Sequence, residues 1–247
     1  MRPGWLRWLV KRPFLRAWIY SRSVLARARG RRVVHMLHIG KTGGTALKHA
    51  LRRHPPEDAG IEVLAHQHDV SLSDLPPWDD LFVVLRDPIS RYVSAFNSRL
   101  VRGQPRYDVP WTRAERRSFA RFGSAEDLAL ALDDSNTRVR REARRAMRGI
   151  RHVNRHYSHW LGSRRRLLAR RRHLLLVARQ ETLDSDFDRL KKLLCLPPDA
   201  TLPKQDRAAN RSPAHRIVGL SEHATANLAA WYRSDYDLMD FVDDELA

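Results

Sequence analysis

An α/β three-layer sandwich with a central parallel sheet is the architecture this sequence predicts, and three observations carry the prediction. Short apolar runs recur at 33–39, 61–65, 81–85 and 173–178, the first of them rich in β-branched residues, and continuous apolarity in strands suggests a parallel sheet covered on both faces. Segments with helical spacing lie between them, and strands alternating with helices build layered α/β folds. No internal repeat or long linker divides the 247 residues, a length that suits one domain with an appendage. A basic amphipathic segment over 1–30 and a single domain over 31–247 are therefore expected.

The elements follow in order. The first strand runs into Gly40-Lys41-Thr42-Gly43-Gly44, and 45–51 reads as a helix. After the strands at 61–65 and 81–85, Pro88 suits the first turn of a helix, with Tyr92, Val93, Phe96 and Leu100 as its buried stripe and Ser90, Ser94 and Asn97 on the other face. Ser124 is an N-cap candidate, with Glu126 and Asp127 in the first turn of a helix reaching about Leu132. From Val139 the apolar positions step through Ala143, Met147, Ile150, Val153, Tyr157 and Trp160, which predicts an amphipathic helix of about six turns. The last strand, 173–178, precedes a helix lined by Phe187, Leu190, Leu193 and Leu194 and ended by Pro197-Pro198. A loop through Asn210-Arg211-Ser212-Pro213 leads to a final helical region opened by Ser221-Glu222.

Apolar residues at 43% and charged residues at 30% suit a soluble globular chain. The net charge of +18 is local: residues 1–32 hold ten Arg or Lys and no acid, and 137–173 hold fourteen Arg against Glu142 alone. Those two segments carry more positive charge than the whole chain, so the remainder is net acidic. Such fields attract polyanions, and they also decorate solvated helix faces. Aromatics do not interleave the 137–173 arginines and no recognised nucleic-acid module appears, so nucleic acid is not an expected partner. Residues 1–30 mix tryptophans and leucines with basic residues, which fits a helix lying on an anionic membrane and bent at Pro13, an organelle transit peptide, or a helix docked on its own domain. Charges break the apolar stretch and exclude a secretory signal, and no run of about 18 apolar residues spans a bilayer. The single cysteine, Cys195, allows no internal disulfide and no cysteine metal cluster, and its Leu-Leu-Cys-Leu setting predicts a buried structural thiol. A cytoplasmic protein, peripheral to the inner face of a membrane, is the expectation.

The Gly40–Thr45 loop sits between a strand and a helix, where backbone N–H groups and the helix dipole hold anions. It is not a Walker A loop. That motif places Gly five residues before its Gly-Lys pair, where this chain has His35, and its lysine closes the loop rather than opening it. Asp87 alone is placed as the magnesium-holding acid a nucleotide hydrolase needs.

His38-Ile39-Gly40-Lys41-Thr42-Gly43-Gly44-Thr45-Ala46-Leu47 resembles the 5′-phosphosulfate loop of sulfotransferases that use 3′-phosphoadenosine 5′-phosphosulfate (PAPS), usually written Pro-Lys-Thr-Gly-Gly-Thr-Ser-Leu. Val84-Leu85-Arg86-Asp87-Pro88-Ile89-Ser90-Arg91-Tyr92-Val93-Ser94-Ala95-Phe96 is similar to the 3′-phosphate segment of the same family. The likeness is close over 33–96 and looser through Gln180-Glu181, the Asp186-Phe187 helix and the Asn210-Arg211-Ser212 loop. It implies a P-loop-NTPase-like fold and metal-independent transfer of a sulfuryl group from PAPS to a hydroxyl, by resemblance to glycan sulfotransferases that of a carbohydrate or glycolipid, leaving adenosine 3′,5′-bisphosphate. It also implies donor contacts from Lys41, Thr42, Gly43, Gly44 and Thr45 at the 5′ end and from Arg86, Ser94 and Arg211. Lys41 would offset the charge that develops on the bridging oxygen. Gly40 stands where the family has proline, and Ala46 where it has serine.

Acceptor activation calls for a base, and histidine is the side chain best poised for it. His66-Gln67-His68 follows the strand at 61–65. In the family a histidine of a Gly-His pair takes this role, and the resemblance assigns it to His68, because Leu72-Ser73-Asp74-Leu75-Pro76 keeps the spacing although Gln67 replaces the glycine. His66 is the second candidate; Glu62 and Glu57 are carboxylate alternatives. His68 and Lys41 are thus the expected catalytic pair. A kinase or NTPase, and a polyanion- or membrane-binding protein without chemistry, are the competing readings.

Overall fold

Why these segments become these elements is clearest in the strands, whose side chains alternate between two apolar layers. The computed structural model of the chain describes residues 4–58, 60–105, 107–203 and 219–246. Along it, α1 (Gly4–Ala28) precedes β1 (Arg32–Leu37), α2 (Gly44–Arg53), β2 (Ile61–Ala65) and β3 (Asp80–Leu85). Then come α3 (Pro88–Leu100), α4 (Arg113–Arg121), α5 (Ala125–Leu130), α6 (Thr137–Gly149), α7 (Ser158–Leu161) and α8 (Arg164–Arg170). The chain continues through β4 (Leu174–Arg179), α9 (Leu183–Leu194), α10 (Glu222–Trp231) and α11 (Arg233–Glu245). The strands form one parallel sheet in the order β2-β1-β3-β4.

In β3, Phe82 and Val84 face Leu47 and Ala50 of α2 and Phe187, Leu190 and Leu194 of α9. Leu81, Val83 and Leu85 face the other way, onto Ile19 of α1, Trp160 of α7, Leu167 of α8 and Leu238 of α11. That two-residue alternation produces the three layers. The order places β1 between β2 and β3, so the connections leaving β1 and β3 diverge at their carboxyl ends, where an open parallel sheet forms its binding crevice.

A further apolar cluster contains no strand. Tyr92 and Phe96 of α3 pack with Phe119 of α4, Leu128 of α5, Met147 of α6 and Leu228 of α10. Sequence reading passed over α4, although Thr112 and Glu115 form a capping box at its start. The fully buried Glu115 also takes two hydrogen bonds from Arg99, at 2.7 and 3.0 Å.

Two expectations are corrected. The six-turn helix from Val139 is two helices, because its apolar stripe serves two cores: Ala143, Met147, Ile150 and Val153 enter the helical cluster, whereas Tyr157 and Trp160 pack on the sheet. A straight helix cannot reach both, so the chain breaks after Gly149 and turns through His152 at φ 66°. Cys195 is exposed, not buried. It caps α9 in the left-handed conformation, φ 50°, which turns it outward between buried Leu194 and Leu196.

Helix α1 docks on the domain through Ile19 and Ala26 and runs unbroken through Pro13. Arg12 ties it down, donating to Asp74 at 2.7 Å and to Ser71 and Ser73 at 3.1 and 3.0 Å. Its outer face leaves Phe14, Trp18 and Leu25 in solvent at 74%, 54% and 46% exposure. Among the described residues no helix is long and apolar enough to cross a membrane.

Candidate active site

The connection from β1 to α2 is shaped by two left-handed residues, Lys41 at φ 72° and Gly43 at φ 87°, on either side of Thr42. Thr42 is fully buried, and its hydroxyl donates to the carbonyl of Ile39 at 3.0 Å, closing the loop on itself. Gly43 occupies the N-cap of α2, where it brings no capping side chain, and with the Ala46 N–H on the Gly43 carbonyl at 3.0 Å the N–H groups of Gly44 and Thr45 are left for an anion. A Cβ on Gly44 would lie 2.3 Å from the ring of His38. Only glycine lets the loop and that imidazole approach this closely.

Arg86 follows β3, the neighbour of β1, so adjacent strands deliver it to the same place. Its Nη1 donates to the Lys41 carbonyl at 3.4 Å, and its buried Nε finds no hydrogen-bond partner among the described residues. The Tyr157 hydroxyl brackets its backbone, accepting from Arg86 N at 3.1 Å and donating to Arg86 O. Asp87 caps α3 by accepting from Ser90 N at 2.7 Å, and its other oxygen accepts from the Tyr236 hydroxyl at 2.7 Å. The carboxylate considered for magnesium thus has both oxygens engaged in holding α3. Ser94 lies one face along α3, and Lys41, Gly43, Gly44, Thr45, Arg86 and Ser94 all line one cleft of about 1320 Å³. Ala46 lines it as well. Glycine backbone, lysine and an incompletely partnered guanidinium are groups that suit an anion.

The two histidines of the His66-Gln67-His68 run have different fates because β2 ends at Ala65 and the chain turns at His68, so the strand alternation that would put residues two apart on one face no longer holds. His66 is buried beneath the sheet's end. Its Nε2 meets His35 Nδ1 at 2.8 Å, and His35 Nε2 meets Asp79 at 3.0 Å. Since the carboxylate accepts, His35 carries its proton on Nε2 and receives the N–H of His66 on Nδ1. Burial, with His35 and Lys48 assisting, lowers the His66 pKa to about 3, and it does not reach the cleft wall.

His68 does reach it. Its Nδ1 stands 3.3 Å from the His38 carbonyl, an acceptor only, so the ring proton belongs on Nδ1 and the Nε2 lone pair is left for a proton. Arg155 and the Trp160 indole donate to its own carbonyl at 3.1 and 2.8 Å, fixing the backbone from two sides. Burial lowers its pKa; the bond to His38 opposes, and Lys48, Arg155 and Lys41 add to the lowering.

Three cleft histidines escaped the sequence reading: His38, His49 and His152. The His38 ring lies against that of His68 with centroids 4.0 Å apart, and burial followed by His68 and Lys48 pushes its pKa down to about 2. His152 meets His68 edge-on at 5.6 Å. His38 ends the first strand next to the glycine loop, a position that could have been read; His152 lay inside an expected helix and gave no signal. Glu62 is paired with Arg22 and with Arg31, the latter at 3.5 Å, away from this cleft, and Glu57 is exposed. Arg211 lies outside the described residues.

A family model described as the sulfotransferase family matches residues 27–242. No curated protein matches the chain.

Proposed function

Because this chain belongs to the sulfotransferase family, we propose that it moves a sulfuryl group from PAPS to a hydroxyl of a carbohydrate or glycolipid, with Lys41 at the donor and His68 as the base. The observation that carries this is the meeting of the Lys41 loop and Arg86 in one cleft, at the carboxyl ends of β1 and β3. His68 Nε2 takes the proton of the acceptor hydroxyl as its oxygen bonds to sulfur. The sulfur–oxygen bond to the donor phosphate breaks, and its electron pair leaves with adenosine 3′,5′-bisphosphate. Lys41 offsets that charge, and the N–H groups of Gly43, Gly44 and Thr45 hold the 5′-phosphate. Arg86 and Ser94, with Arg211 from the family likeness, serve the 3′-phosphate. Thr42 contributes by holding the loop closed.

Calorimetric titration tests the donor site. Adenosine 3′,5′-bisphosphate is expected to bind in EDTA, and Arg86→Ala to weaken it about 10- to 100-fold, the worth of charge-assisted hydrogen bonds. Preference for ATP with magnesium would move the reading to a kinase. Mass spectrometry of sulfated metabolites from cells with and without the gene identifies the acceptor; a sulfated small alcohol without sugar would exclude the carbohydrate assignment.

A second observation bears on where the reaction occurs. Phe14, Trp18 and Leu25, at i, i+4 and i+11, form an exposed apolar row on α1 in a segment with ten basic residues and no acid across 1–32. That pairing of apolar row and positive charge suits the anionic inner face of a cytoplasmic membrane. Vesicles containing anionic lipid should sediment the protein and neutral vesicles should not. Phe14→Ser with Trp18→Ser should cut the binding at least about 10-fold by removing apolar burial. Equal binding to both vesicle types would remove the membrane from this account.

A further inference from the structure

Gly40 and His152 are matched to each other. A Cβ on Gly40 would lie 2.6 Å from His152 Nδ1 and 3.3 Å from its Cε1, so the histidine occupies the space any side chain at position 40 needs. His152 holds a left-handed backbone, φ 66°, a conformation uncommon outside glycine that persists only where neighbours enforce it. The enforcement is visible. Arg91, buried on α3, donates to the carbonyls of His152 at 3.1 Å and Arg155 at 2.5 Å and stands 3.7 Å from Asp235 of α11. The Tyr232 hydroxyl donates to the intervening Val153 carbonyl at 3.0 Å. The turn is thereby clamped from α3 and from the junction of α10 and α11, and the imidazole is carried into the cleft wall between Gly40 and His68.

We propose that His152 is a positioning residue of the reaction centre: its ring fills the place vacated at Gly40, packs edge-on against His68 and keeps water from that side of the base. The proposal rests on the reading of His68 as the base. Burial followed by Lys41, His68, Arg155 and Arg91 lowers the His152 pKa to about 3, so the ring stands neutral among cations. His68 itself is faced by His38 from the end of β1, Lys41 from the donor loop, Lys48 from α2 and Arg155 from the clamped turn, with Asp69 acting on Lys48 and Arg155. None of these charges changes when His152 is removed. The change is hydration, which favours the imidazolium and raises the pKa of His68.

The experiment is a histidine NMR titration, with the His68 resonance identified by its loss in His68→Gln. In His152→Ala the His68 pKa should rise by about half a pH unit or more. Gly40→Ala should displace the His152 ring and produce a similar rise. The double variant should show no more than the larger of the two, because both changes remove the same contact. Thermal unfolding and adenosine 3′,5′-bisphosphate binding, measured on each variant, exclude global damage. A His68 that titrates as in the unmodified protein after His152→Ala, or single-variant shifts that add in the double, overturns the proposal. Failure of the unmodified protein to bind adenosine 3′,5′-bisphosphate strikes at the donor-site reading instead, and the two outcomes are separately measured.

Discussion

Lys41→Ala is expected to lower turnover about 10²- to 10³-fold while adenosine 3′,5′-bisphosphate affinity changes little, because the ammonium is needed where charge develops and only weakly in the ground state. The backbone complicates this substitution in a useful way. Lys41 holds φ 72°, so alanine keeps a left-handed strain that glycine would relieve. Lys41→Gly therefore separates the two contributions: if the side-chain charge matters, glycine and alanine lose turnover alike, although glycine unfolds at a higher temperature than alanine. The measurement is sulfated product by mass spectrometry at saturating PAPS, with the acceptor identified by metabolite comparison. Near-normal turnover in either variant would show that the donor loop is wrongly assigned.

His68→Ala is the other large effect, a loss of roughly 10²- to 10⁴-fold, the usual worth of a positioned acid–base group. Nucleotide binding should persist, since the phosphate contacts proposed above come from the loop after β1 and from Arg86. The sign of the pH dependence follows from the environment. A base must be neutral to accept a proton, and burial with Lys48, Arg155 and Lys41 lowers the His68 pKa from its ordinary 6.5. Turnover should therefore already be near its plateau at neutral pH and decline only as pH falls through that lowered value. His66→Ala is expected to act through stability, because its N–H is spent on His35 and the His35–Asp79 pair would be left with an unpaired buried nitrogen. Profiles from pH 5.5 to 8.5 for both variants decide between the two histidines. A large turnover loss confined to His66→Ala, with folding intact, would transfer the base to His66.

The strands, the glycine loop and the start of α3 were legible in the sequence, since each is written in neighbouring residues. Ile61–Ala65, apolar except at Glu62, forms β2, Pro88 sits in the first turn of α3, and Ser124 and Ser221 cap the helices that follow them. The parallel order of β1 and β3 then brings Lys41 and Arg86 together, so most of the proposed donor cleft came with the motifs. Contacts between distant segments were another matter. The apolar spacing from Val139 to Trp160 states that those residues are buried, not that two separate cores share them, and Leu-Leu-Cys-Leu does not reveal that a left-handed cap turns Cys195 outward. The sequence by itself determined the α/β layering and the glycine loop after β1, because periodicity and glycine act over a few residues. Only the tertiary structure decided that His68 and not His66 reaches the cleft, and that His38 and His152 stand beside it. Which imidazole meets which depends on strand register and on a turn clamped by Arg91 from 61 residues away, and no local pattern encodes that distance.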